Sequence, residues 1–208
     1  MTPASPLTPA LWCLGAFLCG SIPFGLLLVK VAGKGDVRAH GSGNIGATNV
    51  SRVGGKALGL LTLLLDIAKG FLPVFLAKQL GWGESALSLL ALSAVLGHVF
   101  TPWLKFRGGK GVATALGVAL AFRAAMVLPA LGLFIVLLLA FRYVSLGSVM
   151  AALALPLLLV WKGAALPVLL PWTGLALLVI VKHHENIRRL LKGTESPLWG
   201  AKKETAHV

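Results

Sequence analysis

Acid is scarce in this sequence: six Asp and Glu stand against 19 Lys and Arg, for a net charge of +13. No acidic pair sits at metal-binding spacing, so a magnesium site would be hard to build. The two cysteines, Cys13 and Cys19, lie in an apolar stretch with neither disulfide nor metal spacing, and pack as small hydrophobes. No His-x4-Asp motif occurs: Ile45, Trp103, Arg188 and Arg189 stand five residues after His40, His98, His183 and His184. Gly-x-Ser-x-Gly is also missing, and with no polar cysteine a covalent nucleophile has little to be made from. Basic loops interleaved with aromatics do not recur along the chain. The charge therefore points away from nucleic acid and towards anionic lipid headgroups or a phosphorylated substrate. No internal repeat is visible, so an inverted-repeat transporter has no support.

Apolar residues are plentiful. They make up 57% of the chain, charged residues only 12%, and the mean hydropathy is +0.90. Soluble domains carry about twice that share of charge. One membrane domain spanning 1–208 is expected. Its first apolar segment lacks a basic flank and is followed by more spans, unlike a cleavable signal peptide. Spans are read at 7–29, 57–77, 85–104, 111–122, 125–141, 145–161 and 165–182.

Loop charge decides how to read 111–141. With two spans there and the N-terminus outside, the inner side collects fifteen basic residues, Lys202 and Lys203 of the tail included. The outer side keeps only Lys78, Arg123 and Lys162, while Lys69 falls inside a span. The expected fold is an all-α membrane protein with seven transmembrane helices, some short, and a cytoplasmic C-terminus. The segment 111–122 would rise only about 18 Å against a hydrocarbon core of about 30 Å. It either dips partway into the bilayer or is shielded by its neighbours.

Three polar constellations gather on the inner side. The first, GSGNIGATNVSRVGGK at 41–56, offers backbone N–H groups, short polar side chains from Ser42, Asn44, Thr48 and Asn49, and the planar fork of Arg52. The second, LKFRGGKGVATALG at 104–117, clusters Lys105, Arg107 and Lys110 where Gly108, Gly109 and Gly111 lead into a helix. Glycines allow close approach, and a helix start supplies free N–H groups and a positive dipole end. The third, VKHHENIRRLLKGTES at 181–196, reads as a helical extension of the last span. It places His183, Asn186 and Leu190 on one face, with Gly193 after the helix. A flexible connector, a basic lipid anchor and an amphipathic surface helix are the plain alternatives for the three.

Two smaller features complete the set. Asp66 and Lys69, three apart within a span, read as a neutralising pair. Ser145 and Ser148 at the start of the sixth span can cap it or meet a ligand.

Together the three motifs resemble the cytoplasmic signatures of the bacterial acyl-phosphate–glycerol-3-phosphate acyltransferase family, in order and over essentially the whole chain. The resemblance implies an integral enzyme of the bacterial inner membrane that acylates the 1-hydroxyl of glycerol 3-phosphate from acyl phosphate, giving lysophosphatidic acid. It implies no cofactor and no metal. Its partners would be the two substrates, membrane lipids, and the enzymes that make acyl phosphate and use lysophosphatidic acid. By the same resemblance, Ser42 and Arg52 are the functional residues of the first motif and Lys110 of the second. His183 and Asn186 fall in the third, Ser148 binds glycerol phosphate, and Glu195 is structural. Catalytic work is expected of His183, Asn186, Lys110 and Arg52. Substrate contacts are expected of these four and of Ser42, Arg107, Gly108, Gly109, Gly111 and Ser148. The chain departs from the family at Ile45, where proline is usual, and at Thr101–Trp103; the first change is expected to loosen its loop. The rival readings are a transporter of an organic phosphate and a non-catalytic lipid anchor.

Overall fold

The computed structural model describes residues 7–199; the basic tail residues Lys202 and Lys203 lie outside them. Those residues form nine α-helices and two 3-10 turns, and among them there is no strand. Helices α1 (Leu7–Ser21) and α2 (Phe24–Val31) are followed by a 3-10 turn (Val37–Ala39) and the short α3 (Ala47–Gly54). Then come α4 (Lys56–Gln79), α5 (Glu84–Val99), a turn at Pro102–Leu104, and α6 (Val112–Phe141). Helices α7 (Val144–Trp161), α8 (Leu166–Lys182) and α9 (His184–Leu191) complete the described chain. Five helical stretches are long and apolar enough to cross a membrane, and the α8–α9 pair makes a sixth if its bend is bridged.

Small residues set the packing. A Cβ on Gly20 would lie 2.0 Å from Ala94 O, and one on Gly97 2.0 Å from Phe17 O, so α1 and α5 touch backbone to backbone. The same device seats α6 against α4, where a Cβ on Gly117 would meet Ile67 O at 2.0 Å. Close approach through small residues is the usual substitute for hydrophobic drive between membrane helices. The main apolar core lies among α4 to α8, with Val95, Val118, Leu159, Trp172 and Leu175 fully enclosed.

Helix α6 is 30 residues long, about 45 Å if straight, but Arg123 leaves helical geometry (φ −158°, ψ 91°) and divides it. The first arm runs beside the second half of α4. Thr114 O faces Gly70, and Lys78 Nζ donates to Ala121 O (3.1 Å) and Phe122 O (2.9 Å) at the arm's end. That ammonium satisfies carbonyls which the break leaves without helical partners. Arg123 pairs with Glu84. The second arm packs on α7 through Gly147 and Phe134.

The spans expected at 7–29 and 85–104 hold as apolar stretches, Thr8–Val31 and Glu84–Leu104. The first is interrupted at Ile22–Pro23, where proline lacks the N–H that would continue the ladder, and the α-helical part of the second ends at Val99, ahead of the Pro102 turn. Two expectations are corrected. The third motif does not extend α8 but bends away from it by 58° at His183. Half of the first motif is helix rather than loop, since α3 carries Arg52 in its last turn.

Candidate active site

The first motif is held by one side chain. The Asn49 amide nitrogen lies within hydrogen-bond distance of Val37 O (3.1 Å), His40 O (3.1 Å) and Asn44 O (2.9 Å), and its Oδ1 accepts from Ser42 N–H (2.9 Å). Asn44 closes a further turn by accepting from Gly46 N–H (2.8 Å). Ile45 is buried with Leu26, Val29, Val37, Val50 and Leu104. The expected loosening is therefore not seen: Ile45 fills a small core under the loop, and the Asn49 bonds hold the backbone above it. Ser42 is exposed. Arg52 lines a polar cavity of about 420 Å³ with Lys34, His40, Gly41 and Val53, and Lys34 Nζ donates to Gly54 O (2.8 Å).

The glycine loop packs tightly on α5. Gly108 N–H donates to Val99 O (3.0 Å) and Gly109 N–H to His98 O (3.2 Å). These two amides are thus committed to the end of α5 rather than free to cradle an anion. The donors that remain are those of the first turn of α6, entered through Gly111 at φ +85°. Arg107 is exposed and makes no side-chain bond to the other motifs among the described residues.

The second and third motifs meet through Lys110, whose Nζ contacts Asn186 Oδ1. Asn186 Nδ2 in turn donates to Glu195 Oε1 (2.6 Å), which also accepts from Ser145 Oγ (2.6 Å). Arg189 Nε donates to Glu195 Oε2 (2.7 Å). One carboxylate therefore ties the start of α7 to both ends of α9 and aims the Asn186 oxygen at Lys110. Burial pushes the Glu195 carboxyl up, but the bonds from Ser145, Asn186 and Arg189 outweigh it and hold it below the usual range. Burial also lowers the Lys110 ammonium, with Glu195 acting against this and Arg189 and Arg52 with it.

His183 sits at the α8–α9 bend, only 3% exposed. Its Nδ1 lies 2.8 Å from Val179 O, and a carbonyl can only accept, so Nδ1 carries the hydrogen and Nε2 the lone pair. Burial lowers its pKa to about 4; the Val179 bond opposes that shift, Lys110 reinforces it and Glu195 opposes it. The ring is neutral at pH 7. Ser148 is buried near the start of α7 and donates to Val144 O (2.8 Å).

The structure thus brings Lys110, Asn186 and Glu195 into one bonded chain. The side chains of Ser42, Arg107 and Ser148 make no hydrogen bond to that chain among the described residues. Sequence reasoning passed over Lys34 and His40 beside Arg52, the clamp at Asn49, and the Ser145 and Arg189 bonds to Glu195. Asn49 carried a signal, since an asparagine in a loop crowded with glycines is a common backbone tether. Lys34 and His40 carried none beyond their proximity to the motif.

Residues 10–193 match the family model for glycerol-3-phosphate acyltransferase. The chain is 52% identical to a glycerol-3-phosphate acyltransferase of Trichlorobacter lovleyi over 185 residues, covering 89% of this chain and 95% of that one. It is also 52% identical to one of Geobacter sulfurreducens over 181 residues, covering 87% and 93%. A crystal structure of PlsY, an integral membrane glycerol 3-phosphate acyltransferase in its glycerol 3-phosphate form, superposes with a TM-score of 0.88. That match has 40% identity and covers 93% of this chain and 96% of the other. The lysophosphatidic acid form of PlsY matches with a TM-score of 0.84 at the same identity, covering 91% and 95%.

Proposed function

The chain belongs to the glycerol-3-phosphate acyltransferase family, and from that premise we propose that it moves an acyl group from acyl phosphate to the 1-hydroxyl of glycerol 3-phosphate. The observation that carries the reading is the chain Lys110–Asn186–Glu195, which joins a glycine loop to the third motif beside a neutral His183. It is a cationic, largely buried corner whose one hydroxyl–carboxylate contact, Ser145 to Glu195, makes a poor nucleophile–base pair, because Asn186 and Arg189 also hold that carboxylate and keep its pKa low. Acyl phosphate suits such a corner because it is a mixed anhydride whose leaving group needs no covalent help.

The step is a direct displacement. The glycerol hydroxyl oxygen bonds to the acyl carbon, the acyl–O–phosphate bond breaks, and the hydroxyl proton leaves with the departing phosphate. Two phosphates must share the site, and Lys110, Arg52 and the first turn of α6 offset their repulsion. Arg107 adds positive charge at the rim. Ser42, Ser148 and the Nε2 of His183 orient the glycerol phosphate, and Asn186 fixes the Lys110 ammonium. Positioning of this kind supplies several kcal/mol of barrier reduction, up to about 7–11.

His183 is the weaker candidate for taking the proton. Its pKa of about 4 lies roughly two units under the second pKa of a phosphate, about 6. A phosphate oxygen is therefore the better acceptor.

The break at Arg123 supports reading α6 as two spans. With α1–α2 as one span, that makes seven, with the N-terminus outside and the three motifs at the cytoplasmic face of the bacterial inner membrane. Acyl tails then arrive from the bilayer and both phosphates from the cytoplasm. Partners are the enzyme that makes acyl phosphate and the one that consumes lysophosphatidic acid.

The test is to supply purified protein with palmitoyl phosphate and labelled glycerol 3-phosphate. The proposal predicts labelled lysophosphatidic acid. Uptake of the label into proteoliposomes without that product would mark an organic-phosphate transporter instead.

A further inference from the structure

Lysine, aspartate and histidine are expensive inside a span, and those that persist there have a function by default. Asp66 and Lys69 on α4 and His98 on α5 are each no more than 3% exposed. Lys69 Nζ lies 2.7 Å from Asp66 Oδ1, the local pair that the spacing predicts. Two further contacts exceed a local pair. Lys69 Nζ donates to Ile22 O (2.8 Å) at the break between α1 and α2, where that carbonyl also accepts from Phe24 N–H (3.0 Å). His98 turns its Nδ1 towards Asp66 Oδ1 at 3.8 Å, and that nitrogen has no hydrogen-bond partner among the described residues.

The other edge of the His98 ring is the floor of the glycine loop. A Cβ on Gly109 would lie 2.1 Å from His98 Nε2, and one on Gly108 2.0 Å from His98 O. Only glycines can rest at this height, and Lys110 follows directly. The same break in α1–α2 is tied to the loop's far side. Thr101 Oγ1 donates to Ser21 O (2.7 Å) and Trp103 Nε1 to Ser21 Oγ (2.8 Å). The charged cluster thus stands between the stem of the first motif and the loop of the second.

Stability alone does not account for it. Apolar side chains of similar volume commonly replace a buried ion pair at no cost. We infer that Asp66, Lys69 and His98 are positioning residues: they fix the height of Gly108–Gly111 and so aim Lys110 at the acyl phosphate, a role that rests on the assignment of Lys110 above. Asp66 sets which edge of the imidazole faces the loop, Lys69 neutralises Asp66 and grips Ile22 O, and the ring carries Gly109.

Two variants test this without leaving a lone buried charge: His98→Ala, and the double Asp66→Asn/Lys69→Met. In each, protein in lipid nanodiscs is followed by hydrogen exchange at Gly108–Gly111 and by steady-state kinetics with palmitoyl phosphate. The expected result is faster exchange confined to the loop. With it, kcat/KM for palmitoyl phosphate falls by about tenfold to a hundredfold while KM for glycerol 3-phosphate holds within about twofold. Gly109→Ala alone should impair the enzyme through its clash with the ring, yet restore part of kcat/KM in the His98→Ala background, where a methyl replaces the missing floor.

Unchanged loop exchange in both variants would overturn the inference. So would a loosened loop with unchanged kinetics, or a Gly109→Ala substitution equally harmful with and without the ring. If the unsubstituted protein makes no lysophosphatidic acid, the proposed activity fails, while the exchange arm still decides whether the cluster holds the loop.

Discussion

Replacing Glu195 by alanine should damage stability and turnover together. The carboxylate accepts from Ser145 (2.6 Å), Asn186 (2.6 Å) and Arg189 (2.7 Å). Ser145 and Asn186 are buried, so losing a bond to a charged acceptor costs about 1.5 kcal/mol at each. The Arg189 side chain is 38% exposed, and screening reduces its share to less than about 1 kcal/mol. The sum is about 3–4 kcal/mol, which for a chain of this size lowers the melting temperature by about 10 °C. Intrinsic tryptophan fluorescence in detergent reads this directly. Turnover at 20 °C, below both melting points, should fall tenfold to a hundredfold, because Asn186 no longer holds its oxygen against Lys110. Glu195→Gln should fall between, since it still accepts from Ser145 and Asn186 but turns an amide against Arg189. A melting temperature within about 2 °C of the parent with unchanged turnover would refute the claim that one carboxylate organises the third motif.

Lys110→Ala and Arg52→Ala should each abolish lysophosphatidic acid formation in protein that still inserts and purifies normally, as radiolabel counting on membranes and purified enzyme will show. Asn49→Ala removes four hydrogen-bond contacts and should cost about 3 kcal/mol and release the first motif, visible as faster exchange at residues 40–46. His183 gives a pH signature. Its folded pKa of about 4 lies below the ordinary 6.5, so the stability tied to its neutral form is complete above pH 6.5 and lost as pH falls through 4, by up to about 3 kcal/mol. Thermal melts from pH 7 to pH 4 should show that slope in the parent and a shallower one in His183→Gln. The acid limb of kcat should keep its midpoint in His183→Gln, because the substrate phosphate sets it.

Most of the helices could be read from apolar runs alone, while the division of 111–141 came from loop charge, and the break in α6 falls at Arg123. The bend at His183 could not be read, because VKHHENIRRL keeps helical spacing throughout and nothing local forbids continuation. The break at Pro23 was overlooked because proline is tolerated in membrane helices. At the site, Lys110, Asn186 and Glu195 were identifiable as residues, but the contact of Lys110 with Asn186 joins positions 76 apart, a pairing no local pattern carries. The glycines of the second motif were read as an anion cradle; they serve first to rest on His98, which is visible only once α5 is in place. Asp66 and Lys69 formed the pair their spacing suggests, while the grip on Ile22 lies 47 residues away.

The most direct test is a rapid-quench single turnover that follows phosphate, lysophosphatidic acid and protein mass from one reaction with palmitoyl phosphate. The account predicts one phosphate released for each lysophosphatidic acid formed, and neither phosphate release nor an acylated protein when glycerol 3-phosphate is withheld. A burst of phosphate without acceptor, accompanied by a protein heavier by one acyl group, would contradict it.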